Sequence, residues 1–194
     1  MPQYSEQFQT QEAVDRYDRV EYREDGYATY IWELQRPTLR DIVRARRESC
    51  GPVELLDYAC GTGRILQFVE RDVERSDGID ISEAMADVAR ARCPESTIYV
   101  GNILKAPELV AGDYDIVTCF RFILNTEHDM RLRVLRELHR RLAHKNGLLV
   151  ANVHGNRLSA RHLALLGRRI FRKERHSEMS RREIGELFDQ CGFD

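Results

Sequence analysis

The sequence predicts an α/β fold of three layers, a mostly parallel sheet with helices on both faces. Three observations carry this. Short apolar runs alternate with helix-patterned segments from residue 53 onward, the mark of strand–helix–strand units. The runs are continuous in hydrophobicity, as strands covered on both faces are. The first run closes on an acid and breaks into a glycine-rich turn, "LLDYACGTGR" (55–64). Parallel sheets bind ligands outside the carboxyl ends of their strands, where such turns lie.

Residues 1–30 are polar but dotted with Tyr4, Phe8, Tyr17, Tyr22, Tyr27 and Tyr30, and read as short helices and loops that fold onto something else. "WELQRPTLRDIVRARR" (32–47) has helical spacing; Leu39, Ile42 and Val43 make an apolar stripe, and Pro37 suits a first turn. The alternation follows: strand 53–58, helix 64–72, strand 77–82, then a helix over 82–93 that Ser82 can cap. Strands come next at 96–101 and 113–120. A long helix over 127–147 ends at Asn146-Gly147, a helix stop signal. "LLVANV" (148–153) is a strand, and 157–173 and 180–191 read as helices before "CGFD". The chain divides into an N-terminal helical lid or cap, 1–48, and a ligand-binding domain, 49–194.

Composition narrows the function classes. Hydrophobic residues are 42% and charged residues 32%, and the net charge is -2, so no global field draws the chain to nucleic acid. Charge is unevenly spread: residues 1–35 hold eight acids against three arginines, and residues 157–176 hold seven Lys/Arg against Glu174. The five cysteines include no C-x-x-C pair, which argues against a disulfide framework and a zinc site. No stretch approaches the roughly 20 apolar residues of a spanning helix, and the N-terminus has no apolar signal core. These features predict a soluble, cytoplasmic protein without metal.

The glycine turn discriminates among nucleotide ligands. Gly61 and Gly63 permit a tight turn and close approach of ligand to backbone. A dinucleotide fingerprint needs a third glycine where Leu66 stands, and no Gly-Lys-Ser/Thr follows for a P-loop. Asp57 is a poor neighbour for pyrophosphate and a good one for a cationic amino group. Asp80, at the end of the second strand, can accept from both hydroxyls of a ribose.

These residues resemble the class I S-adenosylmethionine-dependent methyltransferases. The resemblance runs over about residues 50–155: "LLDYACGTGR", "GIDIS", "VGNI", "DYDIVTCFRFILN" and "LAHKNGLLVANV" in that order. It implies a Rossmann-like sheet of order 3-2-1-4-5 with S-adenosyl-L-methionine as cofactor. It further implies that Asp57 and the backbone of Ala59, Cys60, Gly61 and Gly63 face the methionine part, and that Asp80 binds the ribose. Ile81 would pack on the adenine, Asn102 and Ile103 would reach its edge, and Phe120 would lie beside the cofactor. Ala59 replaces the usual first loop glycine, a methyl-sized change expected to be tolerated, and Asn102 stands where an acid is common.

Catalysis in such a site rests on in-line alignment and exclusion of water, with a general base for a protonated acceptor. His154, after the fifth strand, and His128, early in the helix after the fourth strand, are the candidate bases. The aromatic N-terminus is a candidate lid, with Tyr17, Tyr27, Tyr30 and Trp32 as contacts. The expected acceptor is a small molecule or a glycan-type metabolite methylated on oxygen or nitrogen. The alternatives are a module that binds the donor without transfer, and an NAD-dependent oxidoreductase. Enzymes of this resemblance end in a strand hairpin that follows a "GF" turn, and here the sequence stops at that turn. The apolar fifth strand would then be a sheet edge, so either a further C-terminal segment or a second copy, as in a dimer, is expected to cover it.

Overall fold

The computed structural model of the protein describes residues 10–21, 23, 25–142, 146–153 and 179–193. Helix α1 (Gln11–Glu21) and the long α2 (Tyr27–Cys50) precede the sheet. Then come β1 (Glu54–Tyr58), α3 (Arg64–Val69), β2 (Arg75–Asp80), α4 (Glu83–Arg92) and β3 (Thr97–Val100). After them lie β4 (Ile116–Cys119), α5 (His128–Arg141), β5 (Leu148–Ala151) and α6 (Arg181–Asp189). The five strands form one sheet in the order β3-β2-β1-β4-β5, and every pairing is parallel. The fold class and strand order expected from the sequence are those observed.

Alternation along each strand divides the core in two. Leu55 of β1 and Ile116 of β4 join Leu39, Val43, Leu66, Ala86 and Ala89 under α2, α3 and α4. Their neighbours Leu56 and Val117 point the other way and pack with Val134, Leu135, Leu138 and Leu187 of α5 and α6. Because successive side chains leave opposite faces, a two-sided core needs consecutive apolar residues, which is why Leu55-Leu56 of β1 and Ile116-Val117 of β4 stand as adjacent pairs.

Several element boundaries differ from expectation, each for a physical reason. Strand β2 starts at Arg75, two residues early, because Arg75 spans to Glu54 across the sheet and Ser76 bonds Ser96 in the covering loop. The tertiary partners admit polar residues that a hydrophobicity pattern leaves out. Helix α2 begins at Tyr27, so Pro37 lies inside it and not in its first turn. Proline there forgoes the bond to the carbonyl four residues back; burial of Leu39 and Val43 on the far side holds the helix regardless. The helix also runs past the boundary placed at residue 48, ending with Gly51 at a φ of 89°. Helix α5 ends at Arg141, before Asn146-Gly147, where Leu142 turns to extended backbone and bridges to Tyr114. The helix expected over 157–173 lies outside the described residues.

Ser82 caps α4 as expected: its hydroxyl accepts from the Met85 N–H at 3.2 Å, and the side chain is buried. Loss of such a cap costs about 1 kcal/mol. Ser82→Ala is accordingly expected to lower the thermal midpoint by about 2–4 °C, read by calorimetry. Among the described residues no helix is long and apolar enough to cross a membrane.

Candidate active site

The candidate residues of β1, β2 and β4 gather at the carboxyl edge of the sheet, where these strands end side by side. Strand register explains the pairing at its centre. Asp57 of β1 is opposite Thr118 of β4 and Gly78 of β2. Paired residues share a face, so Thr118 Oγ1 donates to Asp57 Oδ1 at 2.6 Å. The other carboxylate oxygen, Oδ2, is buried and has no hydrogen-bond partner among the described residues. Burial pushes the Asp57 carboxyl up to about 7; the Thr118 hydrogen bond lowers it, the nearby Asp80 charge raises it and Arg64 lowers it.

An uncompensated buried carboxylate oxygen is costly. Here it lies at the end of β1, where the chain enters the glycine turn. The turn itself is built from left-handed residues: Ala59 at φ 56°, Gly61 at 55° and Gly63 at 81°. A side chain at Gly61 would meet nothing within 4 Å, so that stretch of backbone is open to approach. At Gly63 the opposite holds. A Cβ there would lie 2.7 Å from Cys93 Sγ and 3.2 Å from Ala89, because the start of α3 packs directly on α4. Gly63→Ala would combine a left-handed L-residue, about 1–2 kcal/mol, with overpacking of about 1–3 kcal/mol. It is expected to lower the denaturant midpoint markedly without changing the slope. Ala59 carries the same left-handed cost and pays it without glycine, so the methyl-sized change is tolerated with strain.

Asp80 ties the turn to the next helix. Its Oδ2 accepts from the Gly61 N–H and its Oδ1 from the Ser82 N–H, each at 2.9 Å. The carboxylate keeps acceptor capacity beyond these two bonds for hydroxyl donors. Burial raises this carboxyl too, against three backbone hydrogen bonds that lower it. Ile81, next in the chain, is 45% exposed, a large apolar surface beside the acid.

The remaining expected residues are placed unevenly. Asn102 uses its side-chain oxygen to accept from the Leu104 N–H at 2.9 Å, and Ile103 is fully buried in the core, so only its backbone can face a ligand. Cys60 is buried, its thiol raised by desolvation, and it too can contribute backbone alone. Phe120 and Trp32 meet edge to face with centroids 6.4 Å apart, and Trp32 also packs on Phe68 of α3 at 5.3 Å. This brings α2 onto the mouth of the site. Tyr27 and Tyr30 are largely exposed. His128 opens α5 and is exposed; His154 lies outside the described residues.

Sequence reasoning missed the residues that support the site. Thr118 reads only as a polar interruption in "DIVTCF". Arg121 adopts a φ of 59°, with its N–H held by Asn152 Oδ1 at 2.6 Å, and its guanidinium reaches the Tyr17 hydroxyl at 3.1 Å. That contact lays α1 against the carboxyl end of β4, beside Trp32 and Phe120. Beside α3, Trp32, Arg36, Arg64 and Phe68 wall a cleft of about 520 Å³; Arg36 is paired there with Glu33.

The family model described as "Methyltransferase domain" matches residues 55–145, the span from β1 through α5. The chain is 32% identical over 115 residues, 58% of its length, to dTDP-4-amino-2,3,4,6-tetradeoxy-D-glucose N,N-dimethyltransferase of Saccharopolyspora spinosa, of which it covers 44%. It is 27% identical over 157 residues, 76% of its length, to N-demethylindolmycin N-methyltransferase of Streptomyces griseus, of which it covers 62%. The chain thus spans less than two thirds of these curated relatives. The magnesium protoporphyrin IX methyltransferase of Synechocystis, solved with S-adenosylhomocysteine bound, superposes with a TM-score of 0.71 over 98% of this chain and 87% of that one, at 17% identity, a likeness of fold.

Proposed function

We propose that this chain, whose residues 55–145 are a methyltransferase domain of the class I S-adenosylmethionine-dependent kind, moves a methyl group from S-adenosylmethionine to a nitrogen or oxygen of a small-molecule or sugar acceptor. One observation carries the donor half of this reading: the buried Oδ2 of Asp57, without a partner among the described residues, at the entry to the turn whose Gly61 backbone is open. That oxygen wants a cation, and the donor's amino acid end supplies one. The same charge opposes a pyrophosphate, which disfavours a dinucleotide. The acceptor half rests on the two curated relatives above, both named as N-methylating enzymes, one of them for a dTDP-linked amino sugar.

When bound, S-adenosylmethionine supplies an electrophilic methyl on a sulfonium. The chain's own residues do the rest. Asp57 accepts from the ammonium, with Thr118 fixing the carboxylate's rotation. Asp80 accepts from the ribose hydroxyls, and Ile81 offers its apolar face to the adenine. The Asn102 carbonyl oxygen keeps one lone pair for the adenine amino group. Trp32, Phe120 and α1, anchored through Tyr17 on Arg121, close the mouth and exclude water. His154 and His128 are the groups available to take a proton from a cationic amine acceptor.

Transfer is tested by incubating the protein with methyl-labelled donor and a panel of amino sugars, their nucleotide-linked forms and aromatic amines. Label should pass to an amine- or hydroxyl-bearing member. Label found on added RNA or protein instead would overturn the acceptor class.

A further inference from the structure

We infer that the first turn of α5 forms an anion-binding subsite centred on Arg131, placed to hold a phosphate or carboxylate of the acceptor; the link to an acceptor rests on the transfer reading above.

Arg131 is buried, 6% exposed, yet it makes no ion pair among the described residues. Its Nη1 donates to the Met179 sulfur at 3.3 Å, a weak acceptor, and its Nε is buried with no hydrogen-bond partner. Burial alone depresses its basicity; no acid pulls the other way. Other well-covered arginines among the described residues contrast with it: Arg46 meets Asp115 at 3.1 Å and Arg141 meets Glu137 at 3.0 Å. A guanidinium out of water without a counter-charge is strongly unfavourable. Replacing it by an apolar side chain would ordinarily help the fold.

Its position makes the imbalance larger. Arg131 is the fourth residue of α5, and helical side chains lean toward the N-terminus. The positive end of the helix macrodipole lies there and repels a cation. That end is also left open: Glu127 caps it with no side-chain hydrogen bond, whereas the neighbouring α6 has a full capping box from Ser180 and Glu183. A buried arginine and an uncapped helix start therefore share one unmet need, and an anion meets both. Glu127 and Asp129 lie in the same turn but are exposed, where water screens them. The turn follows β4 at the carboxyl edge, the edge that carries Asp57 and Phe120, and Met179 places the start of α6 beside it. The guanidinium fork suits planar carboxylate and phosphate oxygens alike.

The test uses the whole chain and two probes, inorganic phosphate and acetate, with sodium chloride holding ionic strength constant. Thermal unfolding of the parent protein should rise saturably with at least one probe at millimolar concentration, and the probe that acts separates a phosphate from a carboxylate ligand. Arg131→Met should unfold at a higher temperature than the parent in chloride and lose the probe-dependent rise. Arg131→Lys, which keeps the charge without the fork, should bind the probe about tenfold more weakly. S-adenosylhomocysteine binding should be unchanged in both. A parent protein indifferent to both anions, or an Arg131→Met protein that responds like the parent, would overturn the subsite. Failure of S-adenosylhomocysteine to bind, with the anion response intact, would instead sink the transfer reading and leave the subsite standing.

Discussion

Asp57→Asn is expected to weaken S-adenosylhomocysteine binding by about 100-fold, the scale on which a buried charge pair is lost when one partner is neutralised. The amide still accepts from Thr118 Oγ1 but can no longer balance the ammonium. Stability should move the other way. The folded-state carboxyl sits at about 7, above its value of 3.8 in an unfolded chain. Asp57 therefore favours the fold below pH 4 and loses that contribution as the pH rises to about 7; at neutral pH its ionised form is a burden of a few kcal/mol. The asparagine protein should then unfold at an equal or higher temperature at pH 8 and show a smaller change in stability between pH 4 and 8. The same linkage governs the ligand in the parent protein. Binding needs the ionised carboxylate, so affinity should climb about tenfold per unit as the pH rises toward 7 and level off above it. Calorimetry in buffers of different ionisation enthalpy would detect the proton released below that point. Affinity flat between pH 5.5 and 8 would contradict the role of Asp57.

Asp80→Ala should also cost about 100-fold or more in affinity, and here stability should fall as well. This carboxylate has two tasks: it offers its free lone pairs to the ribose, and it holds the Gly61 and Ser82 N–H groups. Hydrogen bonds to a charged acceptor are worth about 1.5–3 kcal/mol each. Relief of the burial that raises its pKa offsets part of the loss, so a net destabilisation of about 2 kcal/mol is expected from urea unfolding. Asp80→Asn separates the tasks. One amide oxygen can still receive a backbone N–H, so it should restore more stability than affinity. Equal recovery of both would mean that Asp80 acts only by shaping the turn. The two acids thus differ in the sign of their effect on the fold, because Asp80 is satisfied by backbone and Asp57 Oδ2 is not.

That difference marks where sequence reading stopped. The strand–helix alternation, the glycine turn and the two acids were legible because each depends on local pattern: apolar runs, glycine positions and an acid at a strand end; the strand order came from the resemblance to the methyltransferases. Thr118 was invisible because its partner is 61 residues away and only the β1–β4 register joins them. Pro37 was misplaced because local preference puts proline at a helix start, whereas burial of Leu39 and Val43 carries α2 through it. Arg131 drew no notice among the many charges of "DMRLRVLREL", since a helix pattern does not say which arginine tertiary packing will bury. Arg121, too, acquires meaning only from Asn152 and Tyr17, both far along the chain.

The central claim is that an unpaired oxygen of Asp57 selects a cationic, amino-acid-bearing nucleoside over a dinucleotide. Its most direct test is a calorimetric titration of the protein at pH 8 with S-adenosylhomocysteine and, separately, with NAD. One equivalent of S-adenosylhomocysteine should bind, and NAD should give no heat. Binding of NAD, or the absence of any binding by S-adenosylhomocysteine, would contradict it.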